Sequence, residues 1–170
     1  MGGSAAAARP NLFLSIGVLI VTVALAFGAG AIGGLYTAPE TGPGGWYQTI
    51  GKPVWTPTGA VIGTVWSVLY LLMGIAAWRV WTVAPGFSWV RPLAWYAGQL
   101  LLNAAWPYVF FGLKNPLWAF GVIGVLWAAV LATLIVFWRR DRIAGLLMVP
   151  YLGWVSFAAF LNASIVALNA

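Results

Sequence analysis

Four of the twelve tryptophans in this 170-residue chain lie inside long apolar segments, and they are Trp66, Trp106, Trp127 and Trp154. An indole ring stacks well on other flat rings, and its N–H needs a hydrogen-bond partner when it is buried. The other eight tryptophans lie near segment ends or in loops, where membrane proteins place indoles at the water interface. An aromatic interior of this kind suits a flat apolar ligand better than an ion.

Further side chains in the apolar segments repeat at helical spacing. Trp66 and Tyr70 are four residues apart and therefore share a helix face. Gln99 and Asn103 share a face in the same way, near the middle of their segment. Polar groups at that depth turn toward the interior of a bundle, where they bond to another helix or to a ligand. We favour bonding between helices for these two amides.

A recess is predicted in the last apolar segment, because small alanines stand beside a large indole there. Trp154, Ala158 and Leu161 fall on one face of that helix, although packing between helices alone could also produce this pattern.

Two prolines interrupt the segments that carry these side chains. Pro107 lacks an N–H, so a kink is expected there, and Pro150 frees a carbonyl in the last helix.

Several kinds of chemistry are excluded by residues that the chain lacks. It has no cysteine and no histidine, and Glu40 and Asp141 are its only acids. Zinc sites, iron–sulfur clusters and haem ligated by His or Cys are excluded, as are Ser/His/Asp and Cys/His catalysis. Both acids fall outside the apolar segments, whereas ion-coupled transporters generally need a carboxylate within the membrane. We therefore predict no metal site and no obligatory cofactor.

The elements that must position these residues are five apolar windows. The chain is 63% hydrophobic and 6% charged, whereas roughly a quarter of a soluble protein is charged. Each window exceeds the ~20 residues that cross a bilayer. We predict an all-α integral membrane bundle of five transmembrane helices, with residues 1–170 as a single domain. The predicted helices are about 12–35, 58–81, 92–112, 116–138 and 143–168. The first window is too long for the apolar part of a signal peptide, so we expect it to be retained.

Residues 36–57 form the one long connection, which is rich in proline and glycine and is predicted to be non-helical. Its Trp46, Tyr47 and Trp55 favour a packed lid over a disordered segment, because disordered segments are poor in aromatic residues. Pro57 is expected in the first turn of the second helix, where its missing N–H costs nothing.

Positive charges divide unequally between the two ends of the predicted bundle. Six arginines fall on the side of the N-terminus and the second and fourth loops, and only Lys52 and Lys114 fall on the other side. The positive-inside rule then places the N-terminus in the cytoplasm and puts both the C-terminus and loop 36–57 outside. The net charge of +6 is thus a topology signal, and no nucleic-acid partner is predicted.

Several motifs together resemble the translocator protein family, also called the tryptophan-rich sensory protein or TspO/MBR family. They run in the family's order and comprise Trp46-Tyr47, Lys52-Pro53-x-Trp55-x-Pro57, Val65-Trp66-x-x-Leu69-Tyr70-x-x-Met73-Gly74, Gly98-Gln99-Leu100-x-x-Asn103-x-x-Trp106, Phe110-Phe111-Gly112, Pro150-Tyr151-Leu152-x-Trp154 and Leu161-Asn162. The resemblance implies a five-helix bundle, commonly dimeric, that binds porphyrins and benzodiazepine-type ligands. The implied pocket lies under the first loop between helices 1, 2 and 5, with helices 3 and 4 contributing.

Taken with the patterns above, this resemblance implies a set of ligand-binding residues. They are Trp46, Pro53, Trp55, Trp66, Tyr70, Asn103, Trp106, Phe111, Trp118, Trp154, Ala158 and Leu161. Trp66 and Trp154 correspond to tryptophans implicated in porphyrin handling, and they would be the catalytic residues if light-dependent porphyrin degradation occurs. Animal members carry a cholesterol motif in helix 5, whereas here Leu161-Asn162 is followed by neither its Tyr nor its basic residue. We therefore interpret the chain as a bacterial-type member.

The leading hypothesis is a membrane-embedded binding and sensory protein for tetrapyrroles, such as protoporphyrin IX or haem, and for benzodiazepine-type ligands. Its other expected partners are the lipid bilayer and a second copy in a homodimer. Stacking and shape would hold the macrocycle, so metal-free porphyrin should bind about as well as haem, with its propionates near Lys52 or loop N–H groups. Two alternatives stay open: an enzyme that degrades porphyrin photo-oxidatively, and a tetrapyrrole transporter.

Overall fold

The computed structural model describes residues 11–84 and 86–170, and it is all-helical over these two ranges. Its five α-helices are α1 (Leu12–Thr41), α2 (Gly59–Val83), α3 (Val90–Pro107), α4 (Pro116–Arg140) and α5 (Arg142–Leu168). A short 3-10 turn, Trp46–Gln48, lies in the α1–α2 loop. A π-helical stretch, Tyr108–Gly112, continues α3 and is called the π segment below. The predicted all-α bundle of five helices is confirmed.

Polar side chains begin four of the five helices. The side chains of Asn11, Thr58 and Asn115 each accept a backbone N–H from the first turn of α1, α2 and α4. Asp141 accepts two such N–H groups at the start of α5. These residue types are the preferred caps, because a side-chain oxygen satisfies an N–H that has no partner within the helix. The caps therefore explain why these four helices begin where they do.

The predicted end of the first helix at residue 35 is wrong, because α1 runs on to Thr41 and includes Pro39. Tertiary contacts hold this last turn in place. The ring of Tyr36 packs edge-on against Tyr108 with 5.1 Å between ring centroids, and Glu40 pairs with Lys114 at 3.2 Å. Packing of α1 against the π segment and the next loop thus outweighs the helix-breaking tendency of one proline near a helix end.

Two further predictions about prolines need correction. Pro57 does not begin the second helix, because Thr58 is the cap and α2 starts at Gly59. The predicted α-helix over 92–112 ends at Pro107 instead, and the backbone continues as the π segment. There the N–H of Leu113 reaches the carbonyl of Tyr108, five residues back, at 2.9 Å. The wider turn replaces the simple kink that Pro107 was expected to cause.

The helices form a closed ring in which neighbours follow the order α1, α2, α5, α4, α3. The buried residues of α2 all lie between Leu69 and Val80. Around Met73 and Val80 they fill the centre of the ring together with Ala144 and Met148 of α5. The part of α2 before Leu69 has no buried residue, so the centre of the ring is open at the end beneath the α1–α2 loop.

Four helices, α1, α2, α4 and α5, are long and apolar enough to cross a membrane. The 18-residue α3 carries Arg91, Gln99 and Asn103 and falls outside that set. It nevertheless packs between α1 and α4 within the same ring, and the π segment extends it toward the open end. The chain is an integral membrane protein, as predicted.

A candidate ligand-binding cavity

A cavity of about 420 Å³ occupies the open end of the ring, and all five helices contribute to its wall. No Lys, Arg, Asp or Glu lies among its lining residues. Eight of the residues predicted to bind a ligand line it, and these are Trp66, Tyr70, Asn103, Trp106, Phe111, Trp154, Ala158 and Leu161. Binding pockets of ~300–1,000 Å³ with mainly apolar walls are typical of small-molecule sites. The geometry therefore matches a site for an apolar molecule.

One wall of the cavity is built from stacked aromatic rings. Trp66 lies over Tyr70 at 5.4 Å between ring centroids with an interplanar angle of 24°. Tyr151 of α5 meets Trp66 edge-on at 6.0 Å. On the opposite side, Trp106 packs against Phe110 at 5.0 Å. Such offset and edge-to-face pairs hold the rings in fixed orientations, which gives the cavity a preformed aromatic surface.

Below the aromatic wall, a chain of hydrogen bonds joins α2, α3 and α5. The hydroxyl of Tyr70 donates to Asn103 Oδ1 at 3.0 Å. The Asn103 amide donates to the Tyr151 hydroxyl at 2.9 Å, and that hydroxyl donates to Gln99 Oε1 at 2.9 Å. These contacts agree with the favoured interpretation, in which Gln99 and Asn103 form hydrogen bonds between helices. Asn103 also reaches the cavity wall.

The four interior tryptophans differ in how their N–H groups are satisfied. Trp106 donates to Asn162 Oδ1 at 3.1 Å, as its buried position requires. Trp127 donates to Ser156 at 2.8 Å but is 37% exposed on the outer face of α4, so it is not an interior residue. The N–H of Trp154 is buried and has no partner within the described residues. Trp154 thus departs from the expectation that each interior indole N–H is bonded, and the described hydrogen bonds include none from the indole of Trp66 either.

The α1–α2 loop covers the open end, and Tyr47, Gln48 and Pro57 line the cavity from above. The Gln48 amide donates to the carbonyl of Thr41 at 2.7 Å. The carboxylate of Glu40 accepts the backbone N–H of Trp46 at 3.1 Å. Burial raises the pKa of Tyr47, so its phenol is neutral at physiological pH. These contacts fix the first part of the loop over the cavity.

The second part of this loop is attached to the end of α5. The side-chain amide of Asn169 accepts the N–H of Gly51 and donates to its carbonyl, both at 2.9 Å. The ammonium of Lys52 turns back into the loop, where it donates to the carbonyls of Tyr47 and Ile50. It also lies 4.8 Å from the centroid of the Tyr47 ring, which is a cation–π distance. Lys52 is therefore committed to contacts within the loop.

Four residues from the predicted ligand-binding set lie outside the cavity lining. Two of them are in the loop, where Trp46 packs edge-on against Phe110 at 5.9 Å and Pro53 accepts the N–H of Thr56 to close a turn. These contacts make them supports of the loop, since neither side chain is part of the cavity wall.

The other two lie on outer surfaces of the bundle. Trp55 stacks on Phe160 of α5, with 5.4 Å between centroids and an interplanar angle of 14°. Trp118 is 73% exposed at the start of α4. Both positions suit indoles at a membrane interface, and the structure therefore does not support their assignment to the ligand site.

Several cavity residues were missed by the sequence analysis, above all glycines of α1 and α2. Gly30, Gly34 and Gly63 line the cavity. A Cβ on Gly30 would collide with the Tyr70 ring, whereas Gly34 and Gly63 have free space around them. Of these three glycines, only Gly30 therefore packs closely against a neighbouring helix. A small residue that faces a void and one that faces a helix look alike in a sequence.

Charged side chains gather at the other end of the ring. Arg79 of α2 bonds to Asp141 at 2.7 Å, and this carboxylate also caps α5. Burial alone would raise the pKa of Asp141, but the N–H groups of Ala144 and Ile143 and the Arg79 guanidinium outweigh burial and hold that pKa below its ordinary value. Asp141 therefore stays ionised and ties α2 to the α4–α5 turn.

The fold and the cavity together define a class: helical membrane proteins with an aromatic cavity beneath a loop. Residues 20–168 match the family model described as the TspO/MBR family, and the chain belongs to that family, as its motifs predicted. It is 40% identical to the tryptophan-rich sensory protein of Cereibacter sphaeroides, over 89% of this chain and 91% of the relative. Identity to protein CrtK of Rhodobacter capsulatus is 39%, over 83% and 86%. For the human translocator protein it is 40%, over 69% and 70%.

Proposed function

We propose that the protein is a membrane-embedded binding and sensory protein for tetrapyrroles, such as protoporphyrin IX or haem, and for benzodiazepine-type ligands. The observation that carries this proposal is the aromatic, uncharged wall of a cavity of about 420 Å³. Stacked rings and a low polarity favour flat apolar molecules over ions or sugars. Family membership supports a sensory or binding role, since the similar proteins are named as sensory and translocator proteins.

The uncharged wall also constrains how a dicarboxylate such as protoporphyrin would bind. An ionised carboxylate is costly to bury without a partner, so the propionates must lie at the loop end while the ring fills the cavity. Lys52 is the nearest basic residue in the loop, but its ammonium already donates to two carbonyls. A propionate would have to replace at least one of these bonds, or use loop N–H groups instead.

The metal of haem contributes little in this proposal. With no His or Cys in the chain, the commonest axial ligands of haem iron are absent, and a Met or Tyr ligand is only a remote alternative. The cavity residues then act on the macrocycle by stacking, which is the same with and without iron. Protoporphyrin IX and haem should therefore bind with similar affinity.

The proposal is tested by quenching of tryptophan fluorescence on titration with protoporphyrin IX in the dark. We expect saturable quenching, and an affinity roughly fivefold or more weaker in the Trp66→Phe/Trp154→Phe variant, since aromatic pairs contribute about 0.5–1.5 kcal/mol each. Trp118→Phe/Trp95→Phe is the matched control, because it removes two exposed indoles outside the cavity. Quenching that never saturates, or equal weakening in both variants, would contradict a specific site.

A photo-oxidative enzyme is the second candidate, since Trp66 and Trp154 both line the cavity and Trp66 contacts two tyrosines. In this alternative, illuminated porphyrin and oxygen react beside indoles that can donate electrons. It predicts loss of porphyrin absorbance that needs light, oxygen and protein together, and that disappears in a Trp66→Phe/Trp154→Phe variant at saturating porphyrin. Equal loss with the variant would leave binding as the function.

The expected orientation and assembly complete the proposal. Lys52 and Lys114 lie toward the cavity end, whereas the five described arginines, from Arg79 to Arg142, lie at the other end. The positive-inside rule therefore favours a cavity that faces outward. A homodimer stays a prediction from the resemblance. Its interface would have to come from lipid-facing surfaces such as that of α3 around Gly98, where an added Cβ meets no other atom within 4 Å.

A further inference from the structure

The indole of Trp154 lies between the cavity and the lipid-facing surface of the helix bundle. Trp154 belongs to the cavity wall, and it also borders a shallow groove between α2 and α5. Val68 of α2 and Gly153 of α5 line this groove and take no part in the cavity. One side chain thus lies between a closed apolar site and an apolar depression on the outside.

Trp154 is held less firmly than its counterpart on the other side of the cavity. Trp106 is fixed by its hydrogen bond to Asn162, whereas the buried N–H of Trp154 has no partner within the described part of the chain. Rotation of the Trp154 ring therefore breaks no hydrogen bond. The adjacent backbone also leaves room, because a Cβ on Gly153 would meet no other atom within 4 Å.

Two other ways into the cavity are obstructed in part by specific contacts. On the water side, Asn169 holds the loop at Gly51 through two hydrogen bonds. At the seam between α1 and α2, Gly30 lies directly against the Tyr70 ring, although Gly34 and Gly63 above it have free space. A flat apolar molecule also concentrates in the bilayer, not in water, so it reaches the protein from the membrane.

We propose that the α2–α5 groove is the entry site for planar apolar ligands dissolved in the bilayer, and that the Trp154 indole is the gate between the groove and the cavity. The ligand docks between Val68 and Gly153, the unbonded indole rotates, and the ligand passes into the aromatic cavity without crossing the loop. This inference rests on the proposed function, because it assumes that the cavity binds such a ligand.

The test is stopped-flow quenching by protoporphyrin IX with the protein in lipid nanodiscs, comparing wild type with Gly153→Leu and Val68→Phe. Both variants fill the groove from opposite sides without touching the cavity. We expect the association and dissociation rate constants to fall together, by about fivefold or more, while Kd changes less than about twofold, because the blocked step is passage and not binding. Gly124→Leu on α4 is the matched control, since Gly124 also faces open space and lies outside both linings.

A loop variant completes the test. Asn169→Ala releases the loop from α5 and should leave the association rate within about twofold of wild type if ligands enter through the groove. Wild-type rates in both groove variants would overturn the proposal, as expected of a groove that only holds lipid chains. Faster association in Asn169→Ala would overturn it in favour of entry past the loop. Absence of saturable quenching in wild type would instead contradict the proposed function itself.

Discussion

Tyr151 is the central residue of the hydrogen-bond network beneath the cavity, which it joins through its hydroxyl. It accepts from Asn103 and donates to Gln99, and its side chain is completely buried. Loss of this one oxygen would leave two buried amides short of a partner. Buried polar groups that lose their hydrogen bonds cost more than the bond itself contributed, so this position should be sensitive to a very small change.

We therefore expect Tyr151→Phe to lower the free energy of unfolding by about 1–3 kcal/mol. Tyr70→Phe is the matched comparison, because the Tyr70 hydroxyl makes only a single bond, to Asn103, and should cost less. Thermal and chemical unfolding in detergent measure both. An equal effect of the two substitutions would mean that the chain of bonds does not depend on Tyr151.

At the scale of elements, α1 and α2 meet at a glycine that leaves no space. Gly74 is buried, and a Cβ built there would lie 2.6 Å from the Cα of Val23. Its carbonyl also accepts the hydroxyl of Thr22 at 2.9 Å. Because the obstruction is backbone, it cannot move aside as a flexible side chain would. The distance between these two helices is therefore set by one missing methyl group.

Gly74→Ala should destabilise the protein by about 1–3 kcal/mol, as overpacking does in a well-packed core. Gly28→Ala on the facing helix is the control. Gly28 has no atom within 4 Å of a built Cβ, so the exchange should instead stabilise α1 by about 0.5–1 kcal/mol through its higher helix propensity. The unfolding temperature should fall for Gly74→Ala and rise for Gly28→Ala. An unchanged unfolding temperature in Gly74→Ala would contradict the close contact.

A second link between elements, the Arg79–Asp141 pair, makes a pH-dependent contribution. The folded pKa of Asp141 lies below its ordinary value, so its ionised form is stabilised in the folded protein. This contribution is complete above the ordinary aspartate pKa of about 3.9 and is lost as the pH falls through the lower folded pKa. Acid should therefore loosen the end of the ring opposite the cavity.

Asp141→Asn tests this link, because it keeps an oxygen that can cap α5 while it removes the charge. At neutral pH we expect a loss of about 1 kcal/mol, since the pair is partly exposed at Arg79. The difference in stability from wild type should shrink as the pH drops below about 4. Unfolding measured across pH 3–7 decides it, and a constant difference at all pH values would argue against the pair.

For the whole molecule, the sequence predicted cavity residues correctly where they repeat along one face of a helix. The periodic placement of Trp66, Tyr70 and Asn103 predicted residues that do meet around a cavity. The same reasoning failed for Trp118, because an aromatic residue near a helix end suits a membrane surface as well as a pocket. Only the helix rotation separates these cases, and that depends on packing with neighbours.

Contacts between distant parts of the chain were also beyond local reasoning. The last turn of α1 survives Pro39 because it packs on the π segment, which lies far along the chain. The pairing of Asn169 with Gly51 joins residues 118 positions apart, and neither residue carries a motif. Propensities describe each segment alone, so such long-range bonds had no signal in the sequence.

The proposed orientation of the whole bundle can be tested with single cysteines, since the natural chain has none. Thr49 lies exposed in the α1–α2 loop, and Phe87 is 82% exposed in the α2–α3 loop at the opposite end. In intact cells, a membrane-impermeant maleimide should label Thr49→Cys and should reach Phe87→Cys only after lysis. The reverse pattern would invert the predicted topology.

The bond between Gly51 and Asn169 has a consequence for biosynthesis. A ribosome makes the loop 118 residues before it makes the amide that fastens the loop. For most of that interval α5 is missing from the ring, so the aromatic residues of α2 lack their α5 neighbours. The cavity is therefore incomplete in the growing chain, and its wall and loop are assembled only once α5 and Asn169 are in place.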